Sequence, residues 1–252
     1  MNDPAAPPSA RDSNVAALWA LAVLSLIWGY NWVPVKLATF DADPYIVTAT
    51  RCVLAIVVLF GALLIAKRPL RSPPIVPTIV LGLLQTTGWM ILQTLAVALG
   101  GAGKTAILAF TMPFWTVLLA IPLLGERLTM ARVAALTFAA FGLALILVPV
   151  DVAHGLTAKL LAVAAAISWA GSVVYVRRYR AKHSVDLLSL NTWQLVYGTI
   201  PVVLIAALVP HHRFMLTPRF VESMLFLSIA GTALGWVPVS YTHLTLPTIL
   251  RV

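Results

Sequence analysis

Gln85, Trp89 and Gln93 recur every four residues in an otherwise apolar stretch of this 252-residue chain. A helix through them would carry two amides and an indole on one face. Asn191 and Gln194, joined by Tyr197, repeat the idea at three-residue spacing. Trp28 with Asn31, and Trp169 with Ser172 and Tyr175, add further polar and aromatic groups. Amides both donate and accept hydrogen bonds, and indoles provide flat apolar or cation–π walls. Such a set suits recognition of a small amphipathic metabolite. The same amides could instead bind helix to helix, at about 0.6–2 kcal/mol each. Arg51, in "TATRCVLA", is a lone charge in an apolar run, where a cation costs about 2.5–3.5 kcal/mol on insertion scales. Two partners suit it: a substrate carboxylate, or a structural acceptor such as the carbonyls at a helix C-terminus.

The surroundings of these residues define the solvent. The chain is 61% hydrophobic and only 10% charged, with a mean hydropathy of +0.96. A soluble domain carries about 25% charged residues, so this one cannot cover a water-facing surface. An all-α membrane protein, a polytopic helical bundle, is the class that fits. A spanning helix needs about 20 apolar residues, and eight segments qualify, near 15–37, 45–66, 75–97, 102–124, 130–150, 155–177, 187–209 and 220–238. They are numbered helix 1 to helix 8. Asp43 before Pro44 reads as an N-cap with proline at the first helical position. "KRPLRSPP" ends helix 2, since its prolines cannot continue a helix, and Thr129 can cap helix 5. Pro34 interrupts the hydrogen-bond ladder of helix 1, and Pro113 and Pro122 that of helix 4.

The net charge of +9 reads as topology rather than nucleic-acid binding. Ten basic residues (Arg11, Lys67, Arg68, Arg71, Arg127, Arg132, Arg177, Arg178, Arg180 and Lys182) fall on one side of the bundle, and five (Lys36, Lys104, Lys159, Arg213 and Arg219) on the other. The positive-inside rule then places the N-terminus in the cytoplasm. "ALGGAGKT" (98–105) resembles a phosphate-binding loop, but Ala98 stands where the first glycine belongs. It also joins two spans on the non-cytoplasmic side, so the glycines are read as a tight turn between closely packed helices. Cys52 is the single cysteine, which excludes a disulfide framework. The His211-His212 pair lacks a third ligand for a metal. Glu126 beside Arg127 suits a salt bridge or a cap for helix 5. No cofactor, metal, nucleotide or catalytic constellation is expected.

The chain repeats itself. "LIWGYNWVPVK" (26–36) aligns with "ISWAGSVVYVR" (167–177), and "LLQTTGW" (83–89) resembles "IAGTALGW" (229–236). Helices 1 and 6 leave opposite sides of the membrane, so the two units are inverted. Together with "WGYN" (28–31), Arg51 in helix 2 and "MPFWTVLLAIPLLGERL" (112–128), this order of motifs resembles the drug/metabolite transporter superfamily, in its EamA-type branch. The resemblance implies ten helices in two inverted five-helix repeats, and transport of small metabolites, often export, without ATP hydrolysis.

Four regions are therefore expected: a disordered cytoplasmic tail (1–14), a five-helix first repeat (15–150), a three-helix partial second repeat (155–237), and a tail (238–252). "VSYTHLTLPTILRV" in that last region resembles the translation of a sequencing adapter and is expected to be non-native. Eight of an expected ten helices are present on this reading. The function expected is that of an inner-membrane, multi-pass secondary transporter, an exporter of a small amino-acid-like or amphipathic metabolite, working by alternating access. A membrane scaffold without transport is the alternative. The expected pathway residues are Trp28, Asn31, Arg51, Gln85, Trp89, Gln93, Trp169, Ser172, Tyr175, Asn191 and Gln194. The expected partners are a small-molecule metabolite, the lipid bilayer and a second copy in a homodimer, with no nucleic acid.

Overall fold

A computed structural model describes residues 10–127, 129–147 and 155–234. The region 238–252 and the Gly235-Trp236 pair of the internal repeat lie outside them. The described residues form an all-helical bundle, with helices at each of the eight expected places. Six are long and apolar enough to cross a membrane, and Met130–Leu145 forms a shorter apolar helix. The bundle is inside out relative to a soluble protein. Leu26 and Ile65 are 74% and 86% exposed, while Gln93 and Gln194 are each 1% exposed. Hydrocarbon outside leaves the polar side chains to seek partners within.

Several helices are interrupted, and the reasons are local. Helix 1 begins at Ala10, earlier than expected, and runs to Tyr30, then resumes as Trp32–Asp41. Pro34 has no N–H to give the Tyr30 carbonyl, and the chain turns at Asn31. Helix 2 is Pro44–Ile65, and helix 3 is Ile75–Gly100. Within helix 3, Leu83–Gly88 widens into a π-helical turn. Helix 4 is Ala102–Leu124, broken between Ala109 and Met112 just ahead of Pro113. It runs unbroken through Pro122 and stops at Gly125, whose φ of 67° is the left-handed stop that glycine allows. Helix 5 is Met130–Leu147, helix 6 Leu156–Arg180 and helix 7 Leu187–Leu208. Helix 8 starts as Pro218–Leu225 and becomes π-helical over Phe226–Leu234. Thus the third helix of each sequence repeat carries the same wide-turn distortion.

Packing follows the repeat as well. Helix 3 lies antiparallel to helix 6: a Cβ on Gly88 would collide with Ser168, and one on Gly100 would lie 2.6 Å from the Ala158 Cβ. Helix 8 lies antiparallel to helix 1 in the same way, with Gly231 against Asn31. Helix 3 runs parallel to helix 7, crossing at Gly82 and Gly198, where the two backbones touch. Helix 8 runs parallel to helix 2, tied by Ser228 Oγ donating to the Arg51 carbonyl at 3.2 Å. Exchanging helices 1, 2 and 3 for 6, 7 and 8 reproduces these four relations.

The glycine-rich connection is a turn, as read from the sequence. Gly101 has φ 86°, and the carbonyls of Val97 and Ala98 at the end of helix 3 accept from Lys36 Nζ at 3.2 and 2.9 Å. A cation there also suits the negative end of the helix dipole.

Candidate functional site

The interruptions converge. A cavity partly open to the exterior lies where they meet, its space about 550 Å³ with the solvent of its open mouth included. Asn31 and Trp32 come from the break in helix 1, and Phe110 and Met112 from the break in helix 4. Trp89 and Met90 follow the wide turn of helix 3, and Gly231 and Thr232 lie within that of helix 8. A wide turn displaces the backbone and frees carbonyls from the regular ladder. Within the wide turn of helix 3, Leu84 O accepts both from the Trp89 N–H and from Ser168 Oγ of helix 6 at 2.7 Å.

The walls are aromatic. Trp89 stands 5.1 Å from Trp169 and 6.3 Å from Trp32, centroid to centroid, and Trp32 is 6.0 Å from Phe110. Trp28 meets Trp169 edge to face at 6.5 Å. These tilted and edge-on pairs are the arrangements ring quadrupoles favour, so the four indoles hold one another in place. Trp28 thus lines the cavity together with the other three indoles.

The polar groups are few and deeply placed. Arg51 is 4% exposed. Its Nε donates to Thr232 Oγ1 at 3.0 Å and its Nη2 to Asn31 Oδ1 at 3.3 Å. Helices 1, 2 and 8 are thereby joined at one guanidinium. Gln93 also lines the cavity, and its Nε2 is buried with no hydrogen-bond partner among the described residues.

Six of the eleven expected pathway residues are brought together here: Trp28, Asn31, Arg51, Trp89, Gln93 and Trp169. The cavity lining does not include the other five. Gln85 sits inside the wide turn of helix 3, so the four-residue spacing to Trp89 no longer places both on one face. Ser172 Oγ bonds back to the Trp169 carbonyl at 2.7 Å. Gln194 Oε1 accepts from Thr86 Oγ1 at 2.9 Å, across the helix 3–helix 7 crossing. Asn191 is buried in helix 7, and Tyr175 lies on helix 6 half-buried. Sequence reasoning missed Trp32, Met90, Phe110, Met112, Gly231 and Thr232. Trp32 lies one helical turn beyond Trp28, and Phe110 and Met112 flank the break before Pro113. Those two signals were there to be read.

Two further polar clusters close the ends of the bundle. At one end, fully buried Asp41 accepts from Arg219 Nε at 2.8 Å, Arg219 Nη2 at 2.5 Å and Thr217 Oγ1 at 2.9 Å. Asp43 holds the N-cap position of helix 2 but makes no side-chain bond to that helix. Its Oδ2 accepts instead from the backbone N–H groups of His212 and Arg213, at 2.7 and 3.2 Å. Burial raises the Asp43 pKa, but those two donors and the nearby His212 and His211 outweigh it, holding the carboxyl below its ordinary 3.8. At the other end, Glu126 pairs with Arg132 at 3.0 Å and Arg177 at 2.7 Å, as a salt-bridge role predicts. Arg68 reaches Asp186 at 3.5 Å, and Thr129 caps helix 5 by accepting from the Arg132 N–H at 3.3 Å.

Comparison with known proteins gives the frame for this geometry. The model of the "EamA-like transporter family" matches residues 15–148 and 156–246. An "Uncharacterized transporter YoaV" of Bacillus subtilis is 27% identical over 232 residues, spanning 88% of this chain and 78% of the relative. A "Probable amino-acid metabolite efflux pump" of Salmonella typhimurium is 25% identical over 222 residues, spanning 84% and 72%. The Escherichia coli protein of the same description is 24% identical over 239 residues, spanning 90% and 76%. One solved crystal structure superimposes with a TM-score of 0.65 at 19% identity, over 90% of this chain and 79% of that one. It shows likeness of fold.

Proposed function

The chain belongs to the EamA-like transporter family, and from that premise we propose that this multi-pass membrane protein is a secondary carrier whose substrate occupies the cavity at the four helix interruptions. The convergence of those interruptions is the observation behind this reading. Regular helices satisfy their own backbone, so irregular backbone at membrane depth is tolerated where it lines a cavity, and carriers use it there to bind. Export from the cytoplasm, with the N-terminus on the cytoplasmic side of an inner membrane, is the direction we assign. The positive-inside distribution and the efflux pumps among the relatives support it.

Alternating access fits the arrangement. Helices 1 to 4 of the first repeat and helices 6 and 8 of the second share the cavity between them, and each end is closed by contacts from one half to the other. Rocking of one half against the other would open one end at a time. No step in this scheme requires a bond to be made or broken in the substrate, so the protein works as a carrier and not as an enzyme.

The test is export of candidate metabolites from cells expressing Trp89→Ala or Gln93→Ala at matched membrane levels. Each substitution is expected to lower export of the transported compound about tenfold, the loss of one good contact in the bound state. Unchanged export by both variants would sink the assignment of this cavity as the pathway.

A further inference from the structure

Arg51 presents an electrostatic problem that the protein leaves unsolved. A buried guanidinium needs a counter-charge, because burial removes the water that would otherwise stabilise it. Its two acceptors, Thr232 Oγ1 and Asn31 Oδ1, are both neutral. They satisfy two of its five N–H groups and fix its plane but cancel none of its charge. Nη1 has no hydrogen-bond partner among the described residues. Among the described residues, the cavity wall contains no aspartate or glutamate. The acids of the neighbouring turn, Asp41 and Asp43, sit at the end of the bundle, engaged by Arg219 and by the His212 and Arg213 backbone. A second orphan lies in the same wall: Gln93 Nε2, buried and without a partner among the described residues. Two sets of unused donors thus border one space, and apart from Asn31 and Thr232, which accept from Arg51, and Gly231, the rest of its described lining is indole, phenyl and thioether.

We propose that the cavity selects amphipathic monocarboxylates: an anionic head paired with Arg51 and within reach of Gln93, and an apolar or aromatic body against the tryptophan walls. The assignment rests on the cavity being the transport pathway. A carboxylate matches the planar guanidinium fork and supplies the missing charge at once. A neutral amide would supply an acceptor but no charge. A free ammonium would meet a like charge with no carboxylate to offset it, so amines are rejected and zwitterionic amino acids are held less tightly than the same skeleton without its amine.

The test uses the purified 252-residue chain in detergent micelles and four compounds sharing one phenyl body: 3-phenylpropionate, 3-phenylpropionamide, phenylalanine and phenethylamine. Calorimetric titration is expected to give tightest binding for 3-phenylpropionate, about tenfold or more over its amide, as for a hydrogen bond to a charged partner. Phenylalanine should follow, and phenethylamine should be weakest. Arg51→Gln should bring carboxylate and amide within about twofold of each other, the remainder being a neutral hydrogen bond. Gln93→Leu should weaken the carboxylate and leave the amine unchanged. Equal binding of carboxylate and amide by the unmodified chain overturns the proposal without any variant having to fold, and so does a preference for the amine. In either case the pathway assignment survives. Failure of all four to bind also overturns the carboxylate class. The pathway itself is then judged by the Trp89 and Gln93 export assay, which names no ligand.

Discussion

Asp43 shows how a residue read correctly by type can act on a different partner. The Asp-Pro pair marks the start of helix 2, and the helix does start at Pro44. The carboxylate, however, turns away to two backbone N–H groups of the loop before helix 8. Nothing in the local sequence indicates that loop, which lies about 170 positions later. The consequence is testable through pH. The Asp43 pKa is lowered in the folded protein, so its stabilising effect is complete above the ordinary value of 3.8 and fades as pH falls through the lower folded value. Asp43→Asn should therefore lower the thermal midpoint in detergent at neutral pH, and the gap from the unmodified chain should shrink once pH passes below 3.8. A gap that stays constant down through that range would mean the charge of Asp43 contributes nothing. The same contrast between type and partner runs through the amides. Gln93 and Gln194 are equally buried, yet Gln194 is taken up by Thr86 in a helix crossing while Gln93 Nε2 has no partner among the described residues.

Among the elements, hydropathy and proline positions predicted the eight helices to within a few residues at most ends, because in lipid every spanning helix must announce itself as an apolar run. The breaks at Asn31 and before Met112 were foreshadowed by Pro34 and Pro113. The wide turns of helices 3 and 8 were not, since no residue type signals a π-helical turn. That is why Gln85 was placed on the Trp89 face. Close helix approach was only half legible. Gly82, Gly198 and Gly61 look alike in sequence, but at Gly198 an added Cβ would lie 2.6 Å from the Thr86 Cβ and even closer to the Gly82 carbonyl, while Gly61 has open space. Gly198→Ala must therefore push helices 3 and 7 apart, at a cost of about 1–3 kcal/mol for overpacking. Gly61→Ala should be neutral or stabilising by about 0.5–1 kcal/mol, from helix propensity. Thermal unfolding of the two variants side by side checks this. Equal midpoints would mean that the crossing at Gly198 has more slack than the backbone contact shows.

At the scale of the molecule, the end contacts join the two sequence repeats to each other. Asp41 to Arg219, Asp43 to His212, Arg68 to Asp186 and Glu126 to Arg177 each bridge a residue before position 130 and one after position 176. No sequence pattern could have paired them, since their separations run from 51 to 178 residues; only the fold brings them together. A carrier that alternates between its two sides has to release one of these sets while keeping the other. The Asp41–Arg219 contact is the best isolated for a test, because the aspartate is fully buried and the arginine half-exposed. Arg219→Asp would set two carboxylates against each other and open that end. With Cys52→Ser and a reporter Met112→Cys on the cavity wall, an impermeant maleimide added from the Asp41 side should then react faster. Adding Asp41→Arg restores an opposite-charge pair in reversed order, and labelling should slow again. If Arg219→Asp leaves the rate unchanged, or the exchanged pair reacts as fast as the single variant, this ion pair does not close the Asp41 end of the bundle.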